Sequence, residues 1–63
     1  MSDITWEAPF CGEGNNCFRL GTDVDGNGYI AVNGQEERPL VDSLDALRTL
    51  ITSIKAGQAD HLL

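Results

Sequence analysis

Residues 42–57 read DSLDALRTLITSIKAG, and their apolar side chains recur at every third or fourth position. This spacing predicts an amphipathic helix at about residues 44–56. Asp42 or Ser43 is suited to cap its N-terminus, and Gly57 can end it in the left-handed conformation. The apolar stripe of the predicted helix consists of Leu44, Leu47, Leu50, Ile51 and Ile54.

Three short segments before the helix have the composition of β-strands. Residues 17–20 and 29–32 are rich in aromatic and apolar types and are bounded by glycine and asparagine. Residues 39–41 can form a third strand, because proline is tolerated at the first position of a strand. Asn33-Gly34 is the dipeptide that most readily forms a type I′ hairpin turn. We expect little regular structure before Cys17.

Three strands followed by one helix predict a single α+β domain over residues 1–63, with the order β-β-β-α. A small antiparallel sheet would bury one face under the helix stripe. Trp6 and Phe10 are expected to close one end of this layer, because so thin a core needs large apolar side chains. A ligand pocket of a few hundred Å³ is hard to house beside such a core. We therefore expect no small-molecule substrate and no cofactor.

The chain is acidic, with 4 basic and 10 acidic residues, a net charge of −6 and a pI near 4.2. Such a field repels phosphate backbones and anionic lipids, so direct binding to nucleic acid or to a membrane is not expected. The sequence contains no apolar run of the ~20 residues that a membrane span requires, and its start does not resemble a secretory signal. These features favour a cytoplasmic protein. The candidate linkers are residues 12–16 and 35–38.

Residues 23–30, DVDGNGYI, match the start of an EF-hand calcium loop. Asp23, Asp25 and Asn27 hold the positions of the side-chain ligands, and the carbonyl of Tyr29 would add another oxygen. Position 12 of the loop should be glutamate but is Gly34, and no helix is predicted before the loop. The same dipeptides are typical of a hairpin connection, which is the interpretation that the sequence favours. Calcium binding by loop 23–34 remains the alternative.

Cys11 and Cys17 permit a disulfide, but their spacing does not match that of common zinc sites. In a cytoplasmic chain we expect reduced thiols instead, and a thiol-based sensor is the third hypothesis. His61 is the only histidine, and nothing near it in the sequence would fix its ring as a triad requires. Asp42 and Asp45 resemble a carboxylate pair but suit capping. We predict no enzyme, no catalytic residue and no metal ligand.

Segments spread along most of the chain carry a family resemblance. In order they are Trp6, residues 9–11 (PFC), 14–20 (GNNCFRL), 29–32 (YIAV), 38–40 (RPL) and 54–57 (IKAG). In their order and spacing the chain resembles domain-of-unknown-function family 397, a group of small acidic proteins of actinobacteria. The resemblance covers about residues 6–61. It implies an accessory, sometimes antitoxin-like, partner of a helix-turn-helix regulator encoded beside it, and it implies no catalytic residue.

The first functional hypothesis is therefore a non-enzymatic intracellular module that binds a helix-turn-helix transcriptional regulator. An acidic surface suits a basic partner, which is the part of this hypothesis that the composition supports. Arg48 and Thr52 on the exposed helix face, and Glu36 and Glu37 in the acidic turn, are the candidate contact residues. The calcium module on loop 23–34 is the second hypothesis.

Overall fold

The computed structural model describes residues 3–12 and 17–63 and has the predicted α+β class. Its sheet has four antiparallel strands in the order β1-β2-β3-β4, followed by one α-helix. The elements are β1 Thr5–Trp6, β2 Phe18–Thr22, β3 Asn27–Val32, β4 Leu40–Ser43, α1 Leu44–Lys55 and a 3₁₀-helix Asp60–Leu62.

Strand β1 was not expected, and the prediction of three strands is wrong in this respect. Thr5 pairs with Thr22 and Trp6 with Gly21, and the amide of Glu7 extends the ladder by donating to the Leu20 carbonyl at 2.8 Å. A strand of two residues is too short to show alternation of apolar and polar types. Its pairing depends on β2, which lies far along the chain. The predicted linker at residues 12–16 lies, apart from Gly12, outside the described residues.

Strands β2 and β3 form a hairpin in which Leu20 pairs with Ile30. Strand β3 begins at Asn27, two residues earlier than the composition predicts, because the turn before it is tighter than expected. The Asp23 amide donates to the Asn27 carbonyl at 3.2 Å, and Gly26 has a φ of 87°. A side chain is rarely accommodated at such a φ, which explains the glycine.

The type I′ turn predicted at Asn33-Gly34 is wrong. Gly34 has a φ of 93°, but no non-glycine residue in the described part of the chain has a positive φ. The Gln35 amide donates to the Val32 carbonyl at 2.8 Å, which closes a turn with one left-handed residue. A second turn follows, in which the Arg38 amide donates to the Gln35 carbonyl. Two turns join β3 to β4, so the two-residue hairpin geometry is not required.

Helix α1 confirms the predicted element and its boundaries to within one residue. The Ser43 hydroxyl accepts a hydrogen bond from the Ala46 amide at 3.0 Å and caps the N-terminus. At the other end Gly57 has a φ of 93°, its amide donates to Ile54, and the Gln58 amide donates to Ser53. These two bonds form a Schellman motif, which satisfies carbonyls that the helix leaves unpaired.

The helix lies on one face of the sheet, which we call the helix face. A Cβ built at Gly28 would stand 2.8 Å from the Cβ of Leu47, so the absence of a side chain lets α1 approach β3 closely. Neighbouring strand residues point to opposite faces. Tyr29, Gly21 and Trp6 therefore share the other face, which we call the tryptophan face.

The prediction of one core between the helix stripe and one sheet face is wrong. Among residues 3–12 and 17–63, the buried hydrophobic residues are Cys17, Ala31 and Leu47, and they are divided between the two faces. Trp6 packs over Gly21 on the face opposite the helix, and its ring centroid lies 6.2 Å from that of Tyr29. Phe10 is 64% exposed and does not close the layer. The apolar side chains therefore form two thin layers.

Cys11 and Cys17 form a disulfide, with their Cα atoms 4.7 Å apart. Reduced thiols, the expectation for a cytoplasmic chain, are thus not what the structure contains. The backbone bridge between Phe10 and Phe18 lies beside the disulfide and brings the two cysteines together. No helix in residues 3–12 or 17–63 is long and apolar enough to cross a bilayer.

Candidate protein-interaction surface

A groove runs between the edge strand β4 and helix α1, on the helix face of the sheet. It has a volume of about 390 Å³. Ile30 and Leu40 stand opposite each other in the β3-β4 register and form its sheet wall. Leu47 and Leu50 line the helix wall. It is an open groove at the surface, so it does not contradict the expectation that a ligand pocket is hard to house beside so thin a core.

Large apolar side chains of β4 and α1 are exposed. Leu40 is 72% exposed, Leu50 42% and Ile54 51%. Of the predicted helix stripe only Leu47 is buried, because α1 contacts β3 and β4 at the end of the sheet near Gly28. Farther along the helix, Leu50, Ile51 and Ile54 of the stripe are exposed. An exposed apolar groove on a small protein is typical of an interaction site.

Asp42 lies in the lining of the same groove and gives its largely apolar wall a negative charge. Its carboxylate Oδ1 accepts a hydrogen bond from the Ser43 amide at 2.6 Å. The Leu44 amide donates to the Gly26 carbonyl, in the turn that precedes β3. Because successive backbone amides of a strand point to opposite sides, the Ser43 amide points away from β3. The Asp42 carboxylate therefore bonds a backbone amide on the unpaired edge of β4. An added strand cannot use this amide, so the edge is poorly suited to pairing with another strand.

On the tryptophan face, the Arg19 side chain contacts Glu7, Glu36 and Trp6. Its guanidinium donates to Glu36 at 2.9 Å and to the Glu7 carbonyl at 3.0 Å, and it lies 5.9 Å from the Trp6 ring centroid. The hydrogen bond from Arg19 lowers the pKa of Glu36. Glu36 was a candidate contact residue, but its carboxylate is half-buried in this ion pair. Through its ion pair with Arg19, Glu36 joins the turn after β3 to β2.

The other candidate contact residues lie outside the groove. Arg48 forms a weak, exposed ion pair with Asp45 at 3.5 Å, and Thr52 lies near it on a shallow helix surface. Glu37 is exposed in the turn before β4. An exposed pair of this kind contributes little to stability. The structure does not bring these residues together with the groove.

The Asp23 carboxylate is the hydrogen-bonding centre of the β2-β3 turn. Oδ1 accepts from the amides of Asp25 at 2.9 Å and Asn27 at 3.0 Å. Oδ2 accepts from the Asn27 side chain at 3.0 Å and from the Tyr29 hydroxyl at 2.6 Å. Chiefly through the bond from Tyr29, and then that from Asn27, the pKa of Asp23 falls from 3.8 to about 2, while the pKa of Tyr29 rises.

These bonds bear on the calcium hypothesis for loop 23–34. A carboxylate has about four lone-pair sites, and donors of the protein fill them at Asp23. A calcium ion would have to displace several of these bonds. Within residues 3–12 and 17–63, no group of three or more His, Cys, Asp or Glu side chains is placed to hold a metal ion. The geometry of the loop supports the hairpin interpretation that the sequence favoured.

The lowered pKa of Asp23 predicts a specific dependence of stability on pH. Because the folded protein holds the ionised form, this contribution is complete above pH 3.8 and is lost as the pH falls through about 2. Asp23→Asn, which cannot ionise, should have a lower melting temperature at pH 7, and its deficit relative to wild type should shrink between pH 4 and pH 2.

Thermal melts followed by circular dichroism between pH 2 and pH 7 measure this effect. Glu37→Gln is the matched control, because it removes an exposed carboxylate from another turn. Its melting temperature should track that of wild type across the range. A constant deficit for Asp23→Asn at every pH would contradict the assigned role of the carboxylate.

No family model matches the chain, and the comparisons with curated proteins and with solved structures gave no match. Sequence reasoning missed the groove, although the signal for part of it was present. Leu50, Ile51 and Ile54 extend the stripe over more turns than a short sheet covers.

Proposed function

We propose that this protein is a non-enzymatic interaction module in the cytoplasm, an accessory partner of a helix-turn-helix transcriptional regulator. The observation that best supports an interaction role is the exposed apolar groove between β4 and α1 on a protein with a net charge of −6. The resemblance to domain-of-unknown-function family 397 supports the choice of partner.

Two physical features support a protein partner. When a partner covers the exposed side chains of Leu40 and Leu50, each Å² of apolar surface removed from water contributes about 25 cal/mol of favourable free energy. The net negative charge favours a partner with a basic surface and accelerates their encounter. A DNA-binding regulator has such a surface. Binding that differs between two states of the regulator would change its affinity for DNA.

The disulfide bears on the conditions in which the module acts. Disulfides persist in oxidising compartments and are rare in the cytoplasm, where thiols are kept reduced. The groove is lined by β3, β4 and α1, whereas Cys11 and Cys17 lie before β2. Binding through the groove should therefore persist when the cysteines are reduced, and the test is made in both redox states.

The test is affinity capture of the tagged protein from the cells that carry its gene, without calcium, with and without dithiothreitol. Recovery of a helix-turn-helix regulator in both conditions is the expected result. The purified pair should then bind less tightly as the salt concentration rises from about 0.05 to 0.5 M, because salt screens charges at the contact. Recovery only when calcium is added, or no regulator in either condition, would contradict the proposal.

A further inference from the structure

We propose that the groove between β4 and α1 binds one face of an amphipathic helix whose leucine-type side chains enter the groove and whose lysine or arginine side chains lie beside Asp42. The inference rests on the proposed interaction function and deepens it, because it names the surface and the chemistry of the partner segment. It does not depend on which protein supplies the helix.

The shape of the site favours a helix over a strand. A strand would have to pair with the open edge of β4, which has only four residues. Pro39 precedes that edge, and the Ser43 amide is already bonded to Asp42. The groove, in contrast, has apolar side chains on both walls, Leu40 on the sheet side and Leu50 on the helix side. Helices are held in such grooves by anchors at positions i, i+3, i+4 and i+7.

Charge favours a basic partner over a second copy of the chain. Two copies would each bring a net charge of −6 and an Asp42 carboxylate to the same contact. Like charges at an interface are unfavourable and suppress the wrong partner. The same charge disfavours an anionic lipid surface. A basic amphipathic helix pairs its apolar face with Leu40 and Leu50 and its positive charge with Asp42.

The probe is a synthetic peptide of about 15 residues, because shorter isolated helices are only marginally stable in water. Leucine occupies one face of this peptide and lysine the other. A second peptide has glutamate in place of lysine, and a third has the leucine and lysine residues in an order that forms no apolar face. Titration of the ¹⁵N-labelled protein should shift the amides of Gly28, Ile30, Leu40 and Leu50 with the first peptide and not with the other two.

Substitutions in the protein locate the contact. Leu50→Asp should weaken binding of the first peptide at least about tenfold, because it places a charge in the centre of the apolar contact. Leu40→Asp should do the same, and at 72% exposure Leu40 contributes little to folding. Asp42→Asn, which retains the acceptor for the Ser43 amide, should weaken binding about two- to threefold.

Leu62→Asp is the matched control, because Leu62 is 78% exposed and lies outside the groove lining. It should bind the peptide as wild type does, and thermal melts confirm that each variant is folded. Equal binding of all three peptides, the absence of shifts at the groove, or unchanged binding by Leu40→Asp and Leu50→Asp would overturn the proposal. A concentration-dependent dimer that Leu40→Asp abolishes would also overturn it, since a second copy would then occupy the groove.

The outcomes separate this inference from the proposed function. If the tagged protein captures a regulator and Leu50→Asp captures it equally well, the groove inference fails while the interaction function stands. If the peptide binds the groove but no regulator is captured, the partner assignment fails while the recognition chemistry stands.

Discussion

Leu47→Ala is expected to unfold a large fraction of the protein at 25 °C. Leu47 is 7% exposed and is the helix side chain that packs against β3 at Gly28. Removing a buried leucine side chain costs about 2–5 kcal/mol. A domain of this size has only about 3–5 kcal/mol of stability from its core. The two magnitudes are similar, so one substitution should remove most of the stability. Urea denaturation followed by circular dichroism at 222 nm measures it.

Leu50→Ala is the matched control for this prediction. It makes the same chemical change on the same helix, but Leu50 is 42% exposed. Its cost should be about 1 kcal/mol, which is typical of substitutions outside a tightly packed core. If Leu50→Ala destabilised the protein as much as Leu47→Ala, then Leu50 would be packed in solution. The groove between β4 and α1 would then be closed.

Gly21→Ala is expected to disrupt the packing of the tryptophan face. A Cβ at this position would stand 2.8 Å from Ile4 Cγ2 and 2.8 Å from Trp6 Cε3. The indole is rigid, so β1 must move away from β2 or the ring must change its rotamer. Overpacking of this kind costs about 1–3 kcal/mol. We expect a lower melting temperature together with a red shift in the fluorescence of Trp6, the single tryptophan.

Gly12→Ala is the matched control, because it makes the same substitution at a position where the added Cβ causes no steric clash with the described residues. A Cβ at Gly12 would meet no atom of residues 3–12 or 17–63 within 4 Å, and its φ lies outside the left-handed region. Its unfolding free energy should stay within about 0.5 kcal/mol of wild type. A Gly21→Ala protein with wild-type stability and fluorescence would show that Trp6 does not lie over Gly21.

The candidate site was predictable only in part. The net charge and the long apolar stripe can be read directly from the sequence, and together they indicate an acidic protein with an apolar helix face. The position of Leu40 opposite Ile30 depends on the β3-β4 register, which brings residues from two distant segments into one wall. The sequence predicted that Asp23 lies in a turn. It did not predict the hydrogen bond from the Tyr29 hydroxyl to Asp23, because this bond depends on the geometry of the folded hairpin.

The sequence by itself determined helix α1 and its Gly57 stop and limited the N-cap to Asp42 or Ser43, because these features depend on residues only a few positions apart. It also indicated three of the four strands through their composition. The tertiary structure alone decided that Trp6 forms a strand with β2, that Gly28 brings the helix to one end of the sheet, and that Leu50 is left exposed. These outcomes depend on close approaches between segments distant in sequence, and periodicity within a segment carries no information about such approaches.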